Sequence, residues 1–166
     1  MKRTLTALVA IAALAAPALA SDPVAIGEIA IGPDLQDKAD EYGQRELDYL
    51  AREMREDLER ELSGMLGAGG LTLNVTLLDA TPNRPTMEQM SRRGLDASSL
   101  SIGGASLEAE LVDASGAAVE TYSYSWRSHN IRDVVGYTRW TDANRAMGRF
   151  ADDIAESIAE RSDTGS

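Results

Sequence analysis

The feature of this sequence that most constrains its fold is a change of hydrophobic period at residues 67–70. Before the change, apolar residues recur over 38–66 at the spacing of one helical face. After it, LTLNVTLLDA at 71–80 alternates apolar with polar residues, which is typical of a half-buried strand. Glycines separate the two segments, and glycine readily ends a helix. The chain is therefore predicted to pack a long amphipathic helix against a sheet.

Three more strands and a second helix are predicted from the same periodicities. The apolar segment 24–31, bounded by Pro23 and by Gly32-Pro33, is predicted to be one strand. The stretch MEQMSRRGLDASS in mid-chain indicates a polar connection that has room for one helical turn. Residues 107–111 and 119–126 alternate on either side of the turn residues 113–116, which predicts a hairpin. Thr141 is predicted to cap a helix with the apolar face Ala143, Met147, Phe150, Ile154 and Ile158.

The resulting order is β-α-β-β-β-α, which favours an α+β two-layer sandwich. One mainly antiparallel sheet of about four strands is expected to pack against two helices. Residues 21–161 should form this single domain, with 162–166 as a disordered tail. The residues predicted to form the core are Leu50, Met54, Leu58, Leu73, Val75, Leu77, Leu107, Leu111, Phe150 and Ile154.

The Gly-Gly pair in SIGGAS raises the question of an anion site. A phosphate loop needs a strand before its glycines and a helix after them, and here a strand follows. A nucleophile elbow needs Gly-x-Ser-x-Gly at a strand-to-helix turn, which this segment lacks. Gly103 and Gly104 are therefore predicted to be structural, allowing close approach of another backbone, and Gly116 is predicted to serve the hairpin turn.

Composition excludes several classes of function. The chain has 27 acidic and 16 basic side chains, a net charge of −11, and no basic stripe, so nucleic acid and anionic membranes are unfavourable partners. It has no cysteine and one histidine, which argues against thiol chemistry and zinc. We expect no metal, no cofactor and no catalytic residues. The acidic pairs Glu108/Glu110 and Asp152/Asp153 are each explained by the solvent face of their own element.

Weak candidates for a binding site come from the polar loops and the aromatic residues. They are Asn83, Arg84, Trp126, Arg127, His129 and Trp140. The hairpin aromatics Tyr122, Tyr124 and Trp126 share one strand face, which is either part of the core or an open binding platform. Sequence periodicity leaves both interpretations open.

The N-terminus has the three regions of a secretory signal peptide. Lys2 and Arg3 precede an apolar run, which Pro17 interrupts before the small residues Ala18-Leu19-Ala20. Residues 1–20 are therefore predicted to be removed between Ala20 and Ser21, with no further apolar run long enough to span a membrane. The expected location is the periplasm.

Three stretches of the chain resemble a group of proteobacterial envelope proteins of unknown function. They are PNRPT, SIGGASLEAELVDASGAAV and WTDANRAMGRFADDIAESI, within residues 72–158. The layout is also similar to the small domain at the N-terminus of the TolB protein and in curli-secretion and penicillin-binding-protein-activator lipoproteins. This resemblance implies a periplasmic, non-enzymatic interaction domain. The chain departs from the lipoprotein members because it lacks the cysteine that is lipidated in them.

Two functions are therefore expected from the sequence. The first is a soluble periplasmic protein that binds another envelope component without catalysis. The alternative is a small periplasmic hydrolase or small-ligand carrier that uses Asn83, Arg84, Trp126 and His129. The alternative requires these four side chains to converge in one concave pocket.

Export is testable directly. Mass spectrometry of the protein purified from its native cells should show a chain that begins at Ser21, because the small residues before it suit signal peptidase. A mature protein that retains Met1 or Lys2 would contradict the predicted compartment.

Overall fold

The computed structural model describes residues 23–164. Its strands are β1 (Val24–Ile31), β2 (Leu71–Thr81), β3 (Gly104–Val112) and β4 (Ala118–Arg127). Its α-helices are α1 (Pro33–Gln36), α2 (Ala39–Tyr42), α3 (Gln44–Glu61), α4 (Met87–Arg93) and α5 (Thr141–Thr164), with a 3₁₀ turn at Ile131–Val134. The predicted signal peptide and its cleavage site at Ala20 and Ser21 lie outside the described residues.

The four strands form one sheet in the order β1-β2-β3-β4. β1 runs parallel to β2, and the other two pairs are antiparallel. The α+β fold is confirmed, while the order of elements is matched only approximately. Segment 38–66 is not one helix, because Gly43 adopts φ +93° and separates α2 from α3. Sequence periodicity also missed α1, whose four residues are too few to show a helical pattern.

Both long helices pack on the same face of the sheet. The apolar side of α3 and that of α5 meet the inward side chains of β2 and β3. The predicted core is confirmed, since every one of its members is at most 1 % exposed. The sheet is therefore covered on one side by α3 and α5, and we call the opposite side the outer face.

The aromatic residues of β4 belong to the covered side. Tyr124 stacks on Phe150 of α5, with 6.1 Å between ring centroids. The guanidinium of Arg149 lies 4.8 Å from the ring centroid of Trp126, and Tyr122 packs against the same core while half-buried. These rings extend the core towards the sheet edge, so the hairpin aromatics do not form an open platform.

The start of α5 differs from the prediction. Thr141 is the first helical residue, and its hydroxyl accepts a hydrogen bond from the amide of Thr138 at 2.8 Å, outside the helix. The predicted Thr141 cap is therefore wrong.

The other end of α5 reaches Thr164, past the predicted domain boundary at 161. Arg161 pairs with Glu120 of β4 at 2.5 Å, which fixes this last part of the helix to the sheet. The same hydrogen bond holds the pKa of Glu120 below its usual value. Residues 165–166 of the predicted tail lie outside the described residues.

No helix within residues 23–164 is both long and apolar enough to cross a membrane.

The assignment of the α3 face can be tested at its centre. Leu58 is fully buried, so Leu58→Ala should lower the free energy of unfolding by about 2–5 kcal/mol through lost burial and the cavity left behind. Urea denaturation measures this loss. Ile131→Ala is the control, because Ile131 is 44 % exposed and its change should stay within about 0.5 kcal/mol. Equal midpoints for the two variants would contradict the assigned face.

Candidate functional site

Asn83 joins the three motifs that the sequence analysis singled out. It follows β2 and is fully buried, as is Asp142 in the first turn of α5. Asn83 Nδ2 donates to Asp142 Oδ2 at 2.5 Å, and the Asp142 amide donates to Asn83 Oδ1 at 2.8 Å. The side chain of Asn83 thus satisfies an otherwise unpaired amide at the start of α5, the task that the sequence assigned to Thr141.

The backbone around this pair is tied in the same way. The Asn83 amide donates to the carbonyl of Arg139 at 2.7 Å, and the Ser101 amide donates to the carbonyl of Asn83 at 3.0 Å. The Gly103 amide donates to Asp142 Oδ2 at 3.3 Å. The amide nitrogen and oxygen of the Asn83 side chain are thus both engaged by Asp142. We interpret the Asn83–Asp142 pair as a structural link between β2, β3 and α5.

Gly103 and Gly104 lie where neighbouring atoms leave no room for a side chain. A Cβ atom on Gly103 would lie 2.7 Å from Asn83 Nδ2. One on Gly104 would lie 2.2 Å from the carbonyl oxygen of Trp126. The predicted close approach thus has identified neighbours at both glycines, and Gly116 adopts φ +82° in the hairpin turn.

The remaining candidate residues are spread over the molecule. Trp140 is 3 % exposed, and its Nε1 donates to Glu46 Oε2 at 2.6 Å, so it is part of the core. Arg127 lies on the outer face and pairs with Asp79 at 2.5 Å. His129 is exposed in the loop after β4.

Arg84 lines a cavity of about 350 Å³ beside α2 and α4, which we call the Arg84 cavity. Asn83, Trp126 and His129 are not among its lining residues. The four side chains that the alternative function requires therefore do not converge in this cavity.

A broad concavity of about 560 Å³ occupies the centre of the outer face. It is lined by residues of β2, β3 and β4, namely Asn74, Thr76, Glu108, Ala109, Glu110, Thr121, Tyr122 and Ser123, of which Ala109 and Tyr122 direct their side chains to the covered side. Both glutamates are exposed on β3, two positions apart, and so point to the same side. The concavity is thus a hydroxyl-rich surface with two carboxylates at its centre.

The strand register shows what surrounds these carboxylates. Glu108 lies opposite Thr76 on β2 and Ser123 on β4. Glu110 lies opposite Asn74 on one side and Thr121 on the other. All four cross-strand neighbours are neutral, and within residues 23–164 neither glutamate forms an ion pair.

One end of the outer face carries the positive charge that its centre lacks. Asp79 there pairs with Lys38 at 2.5 Å as well as with Arg127. Partial burial is the largest single influence and disfavours the charge on Lys38, but the hydrogen bond to Asp79 and the attraction of Tyr42 and Asp79 together outweigh it, so the pKa of Lys38 is raised. These two cations are engaged by Asp79, so they do not neutralise the central glutamates.

Sequence reasoning treated Glu108 and Glu110 as ordinary solvent-facing residues. Their alternation on one strand was visible, but their neighbours depend on the register with β2, which is distant in sequence. The hairpin register alone could have shown the neutral residues Thr121 and Ser123 on one side. Within residues 23–164, no group of three or more His, Cys, Asp or Glu side chains is arranged to hold a metal ion.

The fold and this surface define a two-layer α+β domain with one uncovered polar sheet face. The chain matches no known family and no curated protein. It is similar to the crystal structure of a candidate lipoprotein from Caulobacter crescentus CB15, with 19 % identity and a TM-score of 0.40 over 87 % of this chain and 92 % of that one. It is also similar to a minor lipoprotein from Acinetobacter baumannii, with 11 % identity and a TM-score of 0.34 over 87 % and 94 % of the chains.

Similarity at this level carries no conclusion about function. The resemblance to the TolB N-terminal domain and its relatives therefore stays a prediction.

The role of the two glycines can be tested by adding one carbon at each. Gly103→Ala and Gly104→Ala should each lower stability by about 1–3 kcal/mol, because the new Cβ would overlap a neighbour. Gly64→Ala is the matched control, since nothing lies within 4 Å of its Cβ position and stability should change little. Thermal melts with and without phosphate measure all three. A phosphate-dependent rise in the wild-type melting temperature, lost in either variant without loss of stability, would instead indicate an anion site.

Proposed function

We propose that this protein is an exported, non-enzymatic binding domain of the cell envelope whose outer face docks a basic segment of a partner protein. The observation that carries the proposal is the absence of any cation opposite Glu108 and Glu110. On a sheet surface, opposite charges on neighbouring strands stabilise the pairing. Glu108 and Glu110 lack this stabilisation within the sheet, and a cation of a bound partner would provide it.

An uncovered polar face is common on antiparallel sheets, so exposure alone does not support docking. The composition of this face adds to the argument. Apart from the glutamates, the side chains that point outward at the centre of this face are short ones, such as Thr76, Thr121 and Ser123, which lose little conformational entropy when a partner orders them. Their hydroxyl groups can both donate and accept hydrogen bonds with a partner backbone.

The sign of the partner's charge follows from the sign of the surface. The whole chain has a net charge of −11, and the centre of the outer face adds two carboxylates without cationic neighbours. Complementary charge speeds encounter and selects partners more than it sets affinity. A lysine- or arginine-rich segment is therefore the occupant that fits best.

The envelope location is supported by the signal-peptide pattern at residues 1–20. Non-enzymatic action is supported by the composition, with its single histidine and no cysteine, and by the structural roles of Asn83 and Trp140. The proposal keeps the compartment and the binding role that the sequence predicts, and it adds the surface and the charge of the partner.

An oligolysine peptide tests the docking surface. Its affinity for the double variant Glu108→Lys/Glu110→Lys should be about tenfold or more below that for the wild type, because two attractions become repulsions. The matched control is Asp152→Lys/Asp153→Lys, which makes the same change of charge on exposed residues of α5. Fluorescence anisotropy at several salt concentrations measures binding.

The control separates a specific surface from the general attraction of an acidic protein. Equal losses of affinity in the two double variants would contradict the proposal. In cells, a photo-crosslinking residue at Ser123 should capture a partner through a basic segment, identified by mass spectrometry. We expect Glu108→Lys/Glu110→Lys to abolish this crosslinking, whereas Asp152→Lys/Asp153→Lys should leave it unchanged.

A further inference from the structure

The Arg84 cavity lies at a different place from the outer face. It opens beyond the carboxyl end of β2, between the last residue of α2 and the loop 82–86 that leads into α4. Its volume of about 350 Å³ is at the lower end for a small-molecule site.

The walls of this cavity are largely apolar. Tyr42, Pro82 and Pro85 line it from the side of the fold and are buried. Leu95 and Leu100 line it from the opposite loop and are 40 % and 37 % exposed. Two leucines are thus partly exposed at a concave surface, and an apolar ligand bound there would bury their exposed area.

Arg84 supplies the charge in this apolar setting. Its Nε donates to the carbonyl of Tyr137 at 3.0 Å, and its Nη1 donates to the carbonyl of Ala97 at 3.1 Å. Both partners are neutral, whereas Arg127 and Arg139 are paired with carboxylates. The two carbonyls hold the guanidinium in place and leave Nη2 able to donate. A planar guanidinium fixed in this way suits a carboxylate.

One acidic side chain limits the charge of the ligand. Glu41 also lines the cavity, and its Oε1 accepts a hydrogen bond from Gln89 at 2.9 Å. The negative charge of Glu41 repels a dianion such as phosphate more strongly than a monoanion. The hydroxyl-bearing residues Ser99 and Ser101 complete the polar part of the lining.

We propose that the Arg84 cavity binds a small organic monocarboxylate with an apolar body. Arg84 receives the carboxylate, and the apolar body lies against Pro82, Pro85 and the two leucines. This site is independent of the outer face, so either one can fail without the other.

Octanoate is a suitable probe, with octanol as the uncharged analogue and inorganic phosphate as the dianion. In an amide NMR titration, octanoate should shift resonances of residues 81–86 and 95–101, while octanol and phosphate should bind at least about tenfold more weakly. Octanoate that does not bind, or that binds no better than octanol, would overturn the proposal.

Two variants test the site from opposite sides. Arg84→Ala removes the cation but also two loop hydrogen bonds, so Leu95→Glu provides a second test that leaves Arg84 and its bonds in place. Both should weaken octanoate binding by about tenfold or more. Ile131→Glu is the matched control, because it places the same charge on another exposed apolar residue. Undiminished binding by Leu95→Glu, or an equal loss in Ile131→Glu, would overturn the site.

The outer-face variant Glu108→Lys/Glu110→Lys should bind octanoate with unchanged affinity. Its result separates failure of this site from failure of the proposed protein-docking function.

Discussion

Two hydrogen bonds between Asn83 and Asp142 fix where the last helix begins relative to the sheet. Because both residues are fully buried, loss of either partner would leave a polar group unpaired in the interior, which costs about 1–3 kcal/mol or more. The same carboxylate accepts from the Gly103 amide, so the entry of β3 is set by the same contact. The position of α5 over β3 and β4 therefore depends on a link between segments 59 residues apart.

The placement of α5 determines which surfaces stay available. With α3 and α5 on one side, most of the large apolar side chains of the strands face the helices, and the centre of the opposite side is polar. The same link holds the loop after β2 against the loop before β3, where Arg84 and Ser101 line their cavity. Both proposed sites thus lie on parts of the domain that the fold leaves uncovered, while the buried link itself serves structure.

Local periodicity made most of the fold predictable. The period of two in β2 places Leu73, Val75 and Leu77 on one face, as expected for a strand. The helical period in α3 does the same for Leu50, Met54 and Leu58, so both the elements and their buried residues could be predicted. The cap of α5 was not predictable, because Asn83 supplies it from far along the chain and Thr141 satisfied the local rule better. The parallel pairing of β1 with β2 likewise depends on how α3 returns the chain. The candidate sites were missed for the same reason, since register and loop packing decide which groups become neighbours.

The charge pairing in this acidic chain bears on the docking surface that we propose. Lys38 and Arg127 share Asp79, and Arg161 pairs with Glu120. An ion pair between directly opposite residues of neighbouring strands is worth roughly 0.2–1 kcal/mol. At the four positions opposite Glu108 and Glu110 the sequence has Asn, Ser or Thr instead, and so forgoes that stabilisation. A cation supplied by a docked partner would provide it, and this is the physical basis of the docking that we propose.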